Sequence, residues 1–574
     1  MDSYYDKVKY KEEEQAELIK RYKTDRDLLY LSKYTLSDKD GRAIPDIINV
    51  TLNKPALFGG KVFSALGSVS QQTVVTSNKG RVDTHYVEEF QDAAFNAADL
   101  LLRKQHKRSL NSFTDGQICF RGRAARRILF RMATDDDVKK GFEVGKIVPD
   151  IQNWDTQYMT YEDGINGLKW AAYHTGRDWA KTEEQYGDLM EKYGIYNKGD
   201  KPVKADIVDV WTTDHNEVWI NGNQVLEQGH ELDCTPVVLE IVGLGYGDII
   251  LDENSIENTG ESIFFMIRGV IPELNRLASL LQTLNQRQLL GAMKYLTEDI
   301  TGEPPDYPHS MDVVNVEKDL IPIDFGDARR SAEMIYAILD KAEQQGSITD
   351  VDLGNLNFPL SAVALVTIGE GKDQIYLPRL DAKARLNQST AEMITRQILQ
   401  MDVSTFELGT PGHMTEFTSS KLEGAYETEY KYFIKSPQVD VARLSMGKAA
   451  LDMGIDRETV YTDTMQYEDP KGMMQKYYYQ LAEQLSPNVL RKRTITKLLE
   501  MAKDDDNIEA AYDAMTMAAE LGMTLDDIAN GAIQEPMEAV PGAGGEELPL
   551  LGEGNQVGGI GRNPLASVSQ VEEV

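Results

Sequence analysis

The window SIFFMIRGVIPELNRLASLLQTLNQRQLL, Ser262 to Leu290, is among the most apolar in a 574-residue chain whose net charge is −33. Any fold of this chain has to find a place for it. A membrane-spanning helix needs about 20 mostly apolar residues. This window carries Arg268, Glu273, Arg276 and Arg287, and its longest uncharged run, Leu277 to Gln286, still holds Gln282 and Asn285. No other window does better, so no membrane span is expected. Ile267, Ile271, Leu274, Leu277, Leu281 and Leu284 recur at spacings of three and four. That is an amphipathic helix with a single apolar stripe. Pro272 either kinks it or occupies its first turn. Unkinked, roughly 30 residues would span about 45 Å.

The segment 293–326 comes next. It contains Pro304, Pro305, Pro308 and Pro322 and two strand-like runs, DVVNV and LIPIDFG. It is too rich in proline for helix. A second helix follows at about 328–346, with Ser331, Met334, Ile335, Ile338, Leu339 and Ala342 on one face. Helix, small insert, returning helix reads as a stalk with a tip.

Elsewhere the periodicities alternate. Residues 3–34 read as a charged helix with few apolar positions. A second helix, Val87 to Leu110, puts Phe90, Ala94, Ala97, Ala98 and Leu101 on one face. Strands follow in LKWAAYHTGR, DIVDVWTTD and TPVVLEIVGLG. EVWINGNQVLE places Asn221-Gly222 between two apolar runs, a strong hairpin signal. Residues 140–250 are therefore expected to be antiparallel β. A later helical pattern breaks at Gly369–Pro378. Asp469-Pro470 and Ser486-Pro487 look like helix starts, each an N-cap followed by proline. Thr524 with Asp527 resembles a capping box and Gly531 a stop. From Gly531 onward, nine glycines and seven acids indicate a mobile tail.

Several function classes are disfavoured. The charged opening MDSYYDKVKYKEEE is not expected to be a signal peptide. Two cysteines, Cys119 and Cys234, make a disulfide framework unexpected and fit a reducing compartment. The Gly-Lys pairs at Gly60, Gly145, Gly371 and Gly447 lack the following Ser or Thr of a phosphate loop. GLGYGD, Gly243–Asp248, lacks the full dinucleotide pattern and reads as a strand-to-loop turn. His174 alternates within a strand and reads as a packed surface residue. No two histidines have zinc-ligand spacing. The acid triplets in TDDDVKK and AKDDDNIE lack the glycine and terminal glutamate of a calcium loop, and solvated helix caps explain them. No Gly-x-Ser-x-Gly elbow occurs. No catalytic residue, cofactor or metal is therefore expected. Ninety-three acidic against 60 basic residues argue against tight nucleic-acid binding. They suit a wall along which DNA slides.

Two basic clusters stand out. CFRGRAARRILFR holds Arg121, Arg123, Arg126, Arg127 and Arg131. It is either a phosphate-facing patch or a set of ion pairs, within the fold or to neighbouring subunits. RKR, Arg491, Lys492 and Arg493, opens a helix and either meets nucleic acid or decorates a solvated face.

The order of parts resembles the tailed-bacteriophage portal protein, the head-to-tail connector. VPDIQNWDTQYMTYED resembles the segment before the wing strands of that family. LNFPLSAVALVTIG resembles the stretch after its second stem helix, with Ala362 in place of glycine. GIDRETVYTDTMQYEDPKGMMQKYYYQLAEQ resembles its C-terminal segment, with Asp456 where serine is more usual. The resemblance spans most of 40–530 and rests on the ordered set.

It implies an α+β protomer that assembles as a ring, usually of twelve. Residues 1–39 would be an N-terminal helical arm and 40–258 an antiparallel β and helical wing. The first stem helix would be 259–292, a small α/β clip 293–326 and the second stem helix 327–346. Residues 347–401 would hold a tunnel loop and a long broken helix, 402–486 a wing return, 487–530 a helical crown and 531–574 a flexible acidic tail. GEGKDQIYLPR, 369–379, is the candidate tunnel loop; SITDVDLGNLNF, 347–358, is the alternative. Lys372, Gln374, Arg379 and Lys341 would face DNA, and Arg268, Arg276, Gln282, Gln286 and Arg287 would form a polar channel strip. Twelve copies would carry a charge on the order of −400.

The implied function is non-enzymatic: a conduit for double-stranded DNA at one capsid vertex, assembled in the bacterial cytoplasm. Its expected partners are the terminase large subunit, head-completion and tail adaptor proteins and the major capsid protein. The competing readings are another virion scaffold or tail-connector subunit, and a hydrolase with an unrecognised carboxylate or metal site.

Overall fold

The computed structural model describes residues 3–77, 82–133, 146–165, 167–196, 204–243, 259–289, 293–295, 320–322, 328–347, 362–401, 403–410, 412–433, 437–465, 467, 470–504 and 508–520. The protein is mixed α+β with antiparallel sheets. It divides into two units, residues 1–475 and 476–574.

Helix α1 (Tyr4–Glu14) starts where the Ser3 hydroxyl accepts the Asp6 N–H at 3.2 Å. It ends at Gln15, and α2 (Ala16–Leu29) follows. The stretch expected to be one charged arm is two helices docked on the body. Val8, 1% exposed, packs among Trp170, Ala172, Val208 and Val210, and the Tyr5 ring stacks on Trp219 at 5.7 Å. Sparse apolar positions suffice because most of them land on a sheet or in the core.

After α3 (Lys54–Gly67) and β1 (Ser70–Thr76) comes α4 (Thr84–Lys104), capped by the Asp83 side chain. All five residues of its predicted face are buried. The helix stops before Leu110, however. His106 adopts φ +56°, and the Lys107 N–H reaches back to the Leu102 carbonyl at 2.9 Å. This is a left-handed helix terminus. Ser109 then caps α5 (Leu110–Phe120).

Two sheets follow. Strands β2 (Arg123–Met132), β3 (Ile147–Trp154) and β9 (Val237–Ile241) form one in the order β3-β2-β9. Strands β4 (Met159–Gly164), β5 (Gly167–Asp178), β6 (Lys204–Thr212), β7 (His215–Ile220) and β8 (Asn223–Gly229) form a sequential antiparallel meander, with α6 (Trp179–Lys192) between β5 and β6. The predicted alternation holds on β5. Ala171 joins Trp154, Met159 and Trp211 on one face, while Trp170 and Ala172 meet α1 on the other. Asn221 and Gly222 have φ +49° and +80°, the type I′ turn that the dipeptide predicts.

The opening window is not one helix. Residues 263–269 are turns that bury Ile263, Phe264 and Ile267, and α7 (Val270–Leu289) begins after them. Pro272 therefore sits in the first turn, where it costs no hydrogen bond. The short strands β10 (Met293–Tyr295) and β11 (Leu320–Pro322) pair antiparallel, and α8 (Ala328–Gly346) returns against α7. The rest of 293–326 lies outside the described residues.

Helix α9 (Ala362–Gln400) is continuous through Pro378. An interior proline costs about 3 kcal/mol, which explains the expected break. Burial of Tyr376, Leu380, Leu386, Ile394 and Ile398 along the same helix offsets it. The inner face of α9 also carries polar groups. Lys383 pairs with Asp115 at 2.7 Å, both buried, and the Gln397 side chain bonds the Ile128 carbonyl at 2.8 Å and the Phe130 N–H at 2.9 Å.

Strands β12 (Thr405–Thr410) and β13 (His413–Thr418) form a hairpin, and β14 (Glu427–Phe433) pairs with β1. Helices α10 (Pro437–Asp452), α11 (Pro470–Leu485), α12 (Pro487–Asp504) and α13 (Ile508–Glu520) follow. Pro470 and Pro487 each open a helix, as expected. In the second unit, Ile495 of α12 is buried with Ala514 and Ala518 of α13. Thr524, Asp527 and Gly531 lie outside the described residues.

His174 of β5 is bonded by Glu12 of α1 and Asp206 of β6, so it is an ion-paired clasp rather than a packed surface residue. The Glu12 hydrogen bond, with help from Asp206, outweighs partial burial and pushes its pKa up to about 9. In an unfolded chain the imidazole titrates near pH ~6.5. The clasp therefore stabilises fully below about pH 6.5 and is lost as pH rises through about 9. The melting temperature of the wild type is expected to fall more steeply than that of His174→Gln across that interval. Parallel pH profiles for the two would rule the clasp out.

Candidate functional site

The helix pair α7–α8 is held firmly on one side and exposes large apolar side chains on the other. Its inner side is firmly held. Asn275, Ser279 and Thr283 stand one turn apart along α7, and they are buried. Their oxygens accept the N–H groups of Leu52, Val50 and Ile48 at 2.9, 2.8 and 3.0 Å. Four helical residues rise about 6.0 Å, and two extended residues advance about 6.6 Å. The two repeats match closely enough for three consecutive rungs. The other side of this segment is used as well. The Asn49 and Thr51 side chains accept the Leu36 and Tyr34 N–H groups at 2.8 and 2.9 Å.

At the base of α7, Asp25 of α2 receives Arg268 through two contacts, at 2.7 and 3.0 Å, and the Ser262 hydroxyl at 2.7 Å. Glu261 lies 2.8 Å from Arg268 and 3.6 Å from Arg21. Asp25 and Glu261 are almost fully buried. Two buried acids facing two guanidiniums neutralise each other where either alone would be costly. On α8, Asp340 and Glu343 hold Lys54 at 2.5 and 2.9 Å. Although burial opposes its charge, these two acids keep the Lys54 ammonium above its usual pKa.

The outer side is different. Met334, Ile335 and Ile338 of α8 are 64%, 42% and 60% exposed. They belong to the apolar face predicted from sequence. Leu339 of that same face, with Tyr336 beside it, packs against the core. On α7, Glu273, Arg276, Gln282 and Gln286 are exposed, as a polar strip requires. Arg268 is not part of that strip, because the buried acids hold it. The side chain of Arg287 lies outside the described residues.

The other predicted residues are dispersed. The arginines of β2 and its approach are engaged within the chain. Arg121 lies 3.5 Å from Asp155 and over the Tyr22 ring at 5.0 Å. Arg123, 2% exposed, donates to the Thr259 carbonyl at 3.2 Å. Arg126 is fully buried, donating to Asn387 at 2.6 Å and Thr114 at 2.8 Å, and burial pushes its pKa down to about 10. Arg127 and Arg131 share Asp150 at 2.9 and 3.4 Å. A phosphate-facing patch made of all five is thus corrected: strand alternation sends Arg126 into the core, opposite Arg127.

The tunnel-loop expectation is corrected as well. Residues 369–379 are helical in α9, and Arg379, 2% exposed, donates to the Ile375 carbonyl at 2.6 Å. Lys372 and Gln374 lie on the same helix, with side chains outside the described residues. The alternative loop, 347–358, lies outside them except for Ser347. Lys341 is exposed on α8. In α12, Arg491 is exposed and Lys492 half-buried, while Arg493 donates to the Tyr479 carbonyl at 2.9 Å and stacks on that ring at 4.6 Å.

Among the described residues no group of three or more His, Cys, Asp or Glu side chains is placed to hold a metal ion, and no helix is long and apolar enough to cross a membrane. No family model matches the chain, and no curated protein matches it.

Sequence reasoning missed the Asn275-Ser279-Thr283 ladder, although three small hydrogen-bonding residues four apart inside an apolar stripe were a legible signal. Ser279→Ala is expected to leave the Val50 N–H without its acceptor and to cost about 1–3 kcal/mol. Urea unfolding checks this; a midpoint equal to that of the wild type would remove the ladder as an anchor.

Proposed function

We propose that the protein is the subunit of a tailed-bacteriophage portal ring, a non-enzymatic conduit for double-stranded DNA at one capsid vertex. The observation that carries this reading is the apolar stripe Met334, Ile335 and Ile338, exposed on a helix whose opposite side is pinned by half-buried Lys54 between Asp340 and Glu343. Three large apolar side chains at helical spacing mark a contact surface. In a closed ring of heterologous contacts each helix pair meets a neighbour on either flank. One flank would bury this stripe, while the polar strip of α7 faces the channel.

Charge supports the same reading. A net charge of −33 per subunit gives a ring on the order of −400, which repels the phosphate backbone and favours sliding. Exposed Lys341 would offer transient phosphate contacts. The motor is then a separate terminase ATPase, in keeping with the lack of a phosphate loop in this sequence. The terminase would dock on the module inserted between α7 and α8, and adaptor and capsid proteins would occupy other faces of the ring. The particle belongs in the virion at the head–tail junction.

Negative-stain images of the purified protein are expected to show rings with a central hole. The mass should be near twelve times 64.4 kDa, about 770 kDa. Ile338→Asp should abolish the rings and leave the far-UV spectrum and melting temperature of the subunit unchanged, because the side chain is exposed in the single chain. Solitary particles without a pore, over a range of concentration and salt, would end this reading.

A further inference from the structure

A cleft of about 1080 Å³ lies between the α4–α5 turn, β3 and β5. Small-molecule pockets run to roughly 300–1,000 Å³, so this one is large for such a ligand. Its rim is basic. The turn belongs to the run RKQHKR, Arg103–Arg108, the densest basic stretch in an acidic chain. Exposed Lys107 and Arg108 line the cleft, with Arg127 and Arg177. Three acids line it too, which leaves the four cations one in excess. The acids have partners, just as Lys107 has Gln152 at 2.7 Å and Arg177 has Gln185 at 3.2 Å. Asp150 has Arg127 and Arg131, Asp155 has Arg121, and Asp209 accepts the Asn216 amide at 2.7 Å.

The cleft also holds unmet hydrogen-bonding capacity. Arg127 Nε, Asn153 Oδ1 and Thr175 Oγ1 are buried and have no partner among the described residues. They are a donor, an acceptor and a hydroxyl that is both. A bare anion offers acceptors only and leaves Asn153 unmet. A peptide backbone offers N–H and C=O in alternation. Single-stranded nucleic acid would need free aromatic faces on which to stack. Trp154 is 3% exposed and already stacked on Tyr173 at 4.9 Å, which leaves Tyr158 as the exposed ring.

We propose that this cleft receives an acidic, extended segment of a second copy of the chain. The inference rests on the ring reading above and names where one of its contacts forms. Copies of net charge −33 repel one another. A basic cleft meeting an acidic surface supplies a local attraction and fixes the orientation of the encounter. Because the cleft and the acidic segment are different surfaces, the contact is heterologous and propagates around a ring.

The test compares assembly of the full chain, followed by light scattering against concentration. Lys107→Glu/Arg108→Glu is expected to raise the concentration for half-assembly by about tenfold or more, since reversing rim charges slows productive encounter. Arg108→Gln should show a smaller shift of the same sign. Lys39→Glu/Arg42→Glu, an equal charge change at exposed positions outside the cleft, should stay within about twofold of wild type. Circular dichroism melts verify that each variant folds. Rings that form at unchanged concentration in both cleft variants would overturn this inference and leave the portal reading standing. A wild-type chain that never associates would overturn both. If oligodeoxythymidine binds the wild type and the cleft pair abolishes that binding without affecting assembly, the cleft takes nucleic acid and the inference fails.

Discussion

The long helix α9 has to bury charge, and much of the first unit is arranged around that demand. Lys383 and Asp115 are both nearly inaccessible, Arg126 of β2 reaches Asn387, and Gln397 completes hydrogen bonds of β2 beyond the last residue paired with β9. A buried ion without its partner costs several kcal/mol. These pairings therefore fix which turn of α9 lies against which residue of β2. Apolar contacts alone would permit sliding, since one leucine substitutes for another with little penalty. Once α9 is in register with β2, the sheet β3-β2-β9 and helix α5 are in register too.

The same physics recurs at the helix pair α7–α8. The groups that locate it are polar: the buried three-rung ladder, Arg268 on buried Asp25 and Glu261, and half-buried Lys54 between Asp340 and Glu343. Polar contacts are directional, so they hold an orientation where apolar contacts would hold only a distance. Having its inner side pinned leaves the pair free to present Met334, Ile335 and Ile338 outward as a rigid surface. A stiff, preorganised apolar stripe loses little entropy on association, which supports the proposed contact between subunits.

Much of the local structure was legible in the residues. The Asn221-Gly222 turn, the alternation of Ala171 against Ala172 and the buried face of α4 all follow from backbone sterics and side-chain period. The failures share a cause. The α4 helix ends early because His106 takes a left-handed conformation, a local choice with no strong sequence mark. Pro378 is carried inside α9 because distant burial outweighs a local penalty. Arg379 was expected to face DNA, and Arg123 and Arg126 to meet phosphate or an acid, because a window of sequence does not show the Thr259 carbonyl, Asn387 or the interior of α9 waiting for them. The basic run RKQHKR was passed over in the sequence, and only the fold sets it across a cleft from Arg127 and Arg177.

By itself the sequence determined the period of each element, the turn chemistry between β7 and β8, the acidity of the whole and the succession helix, insert, helix. These are properties of neighbouring residues and sums over the chain, so no three-dimensional information is needed to read them. Only the tertiary structure decided which charges are buried, which apolar face is left bare and which basic residues share a cleft. Each of those depends on residues well separated along the chain, such as Arg126 and Asn387, and such a pairing exists only once the chain has closed on itself.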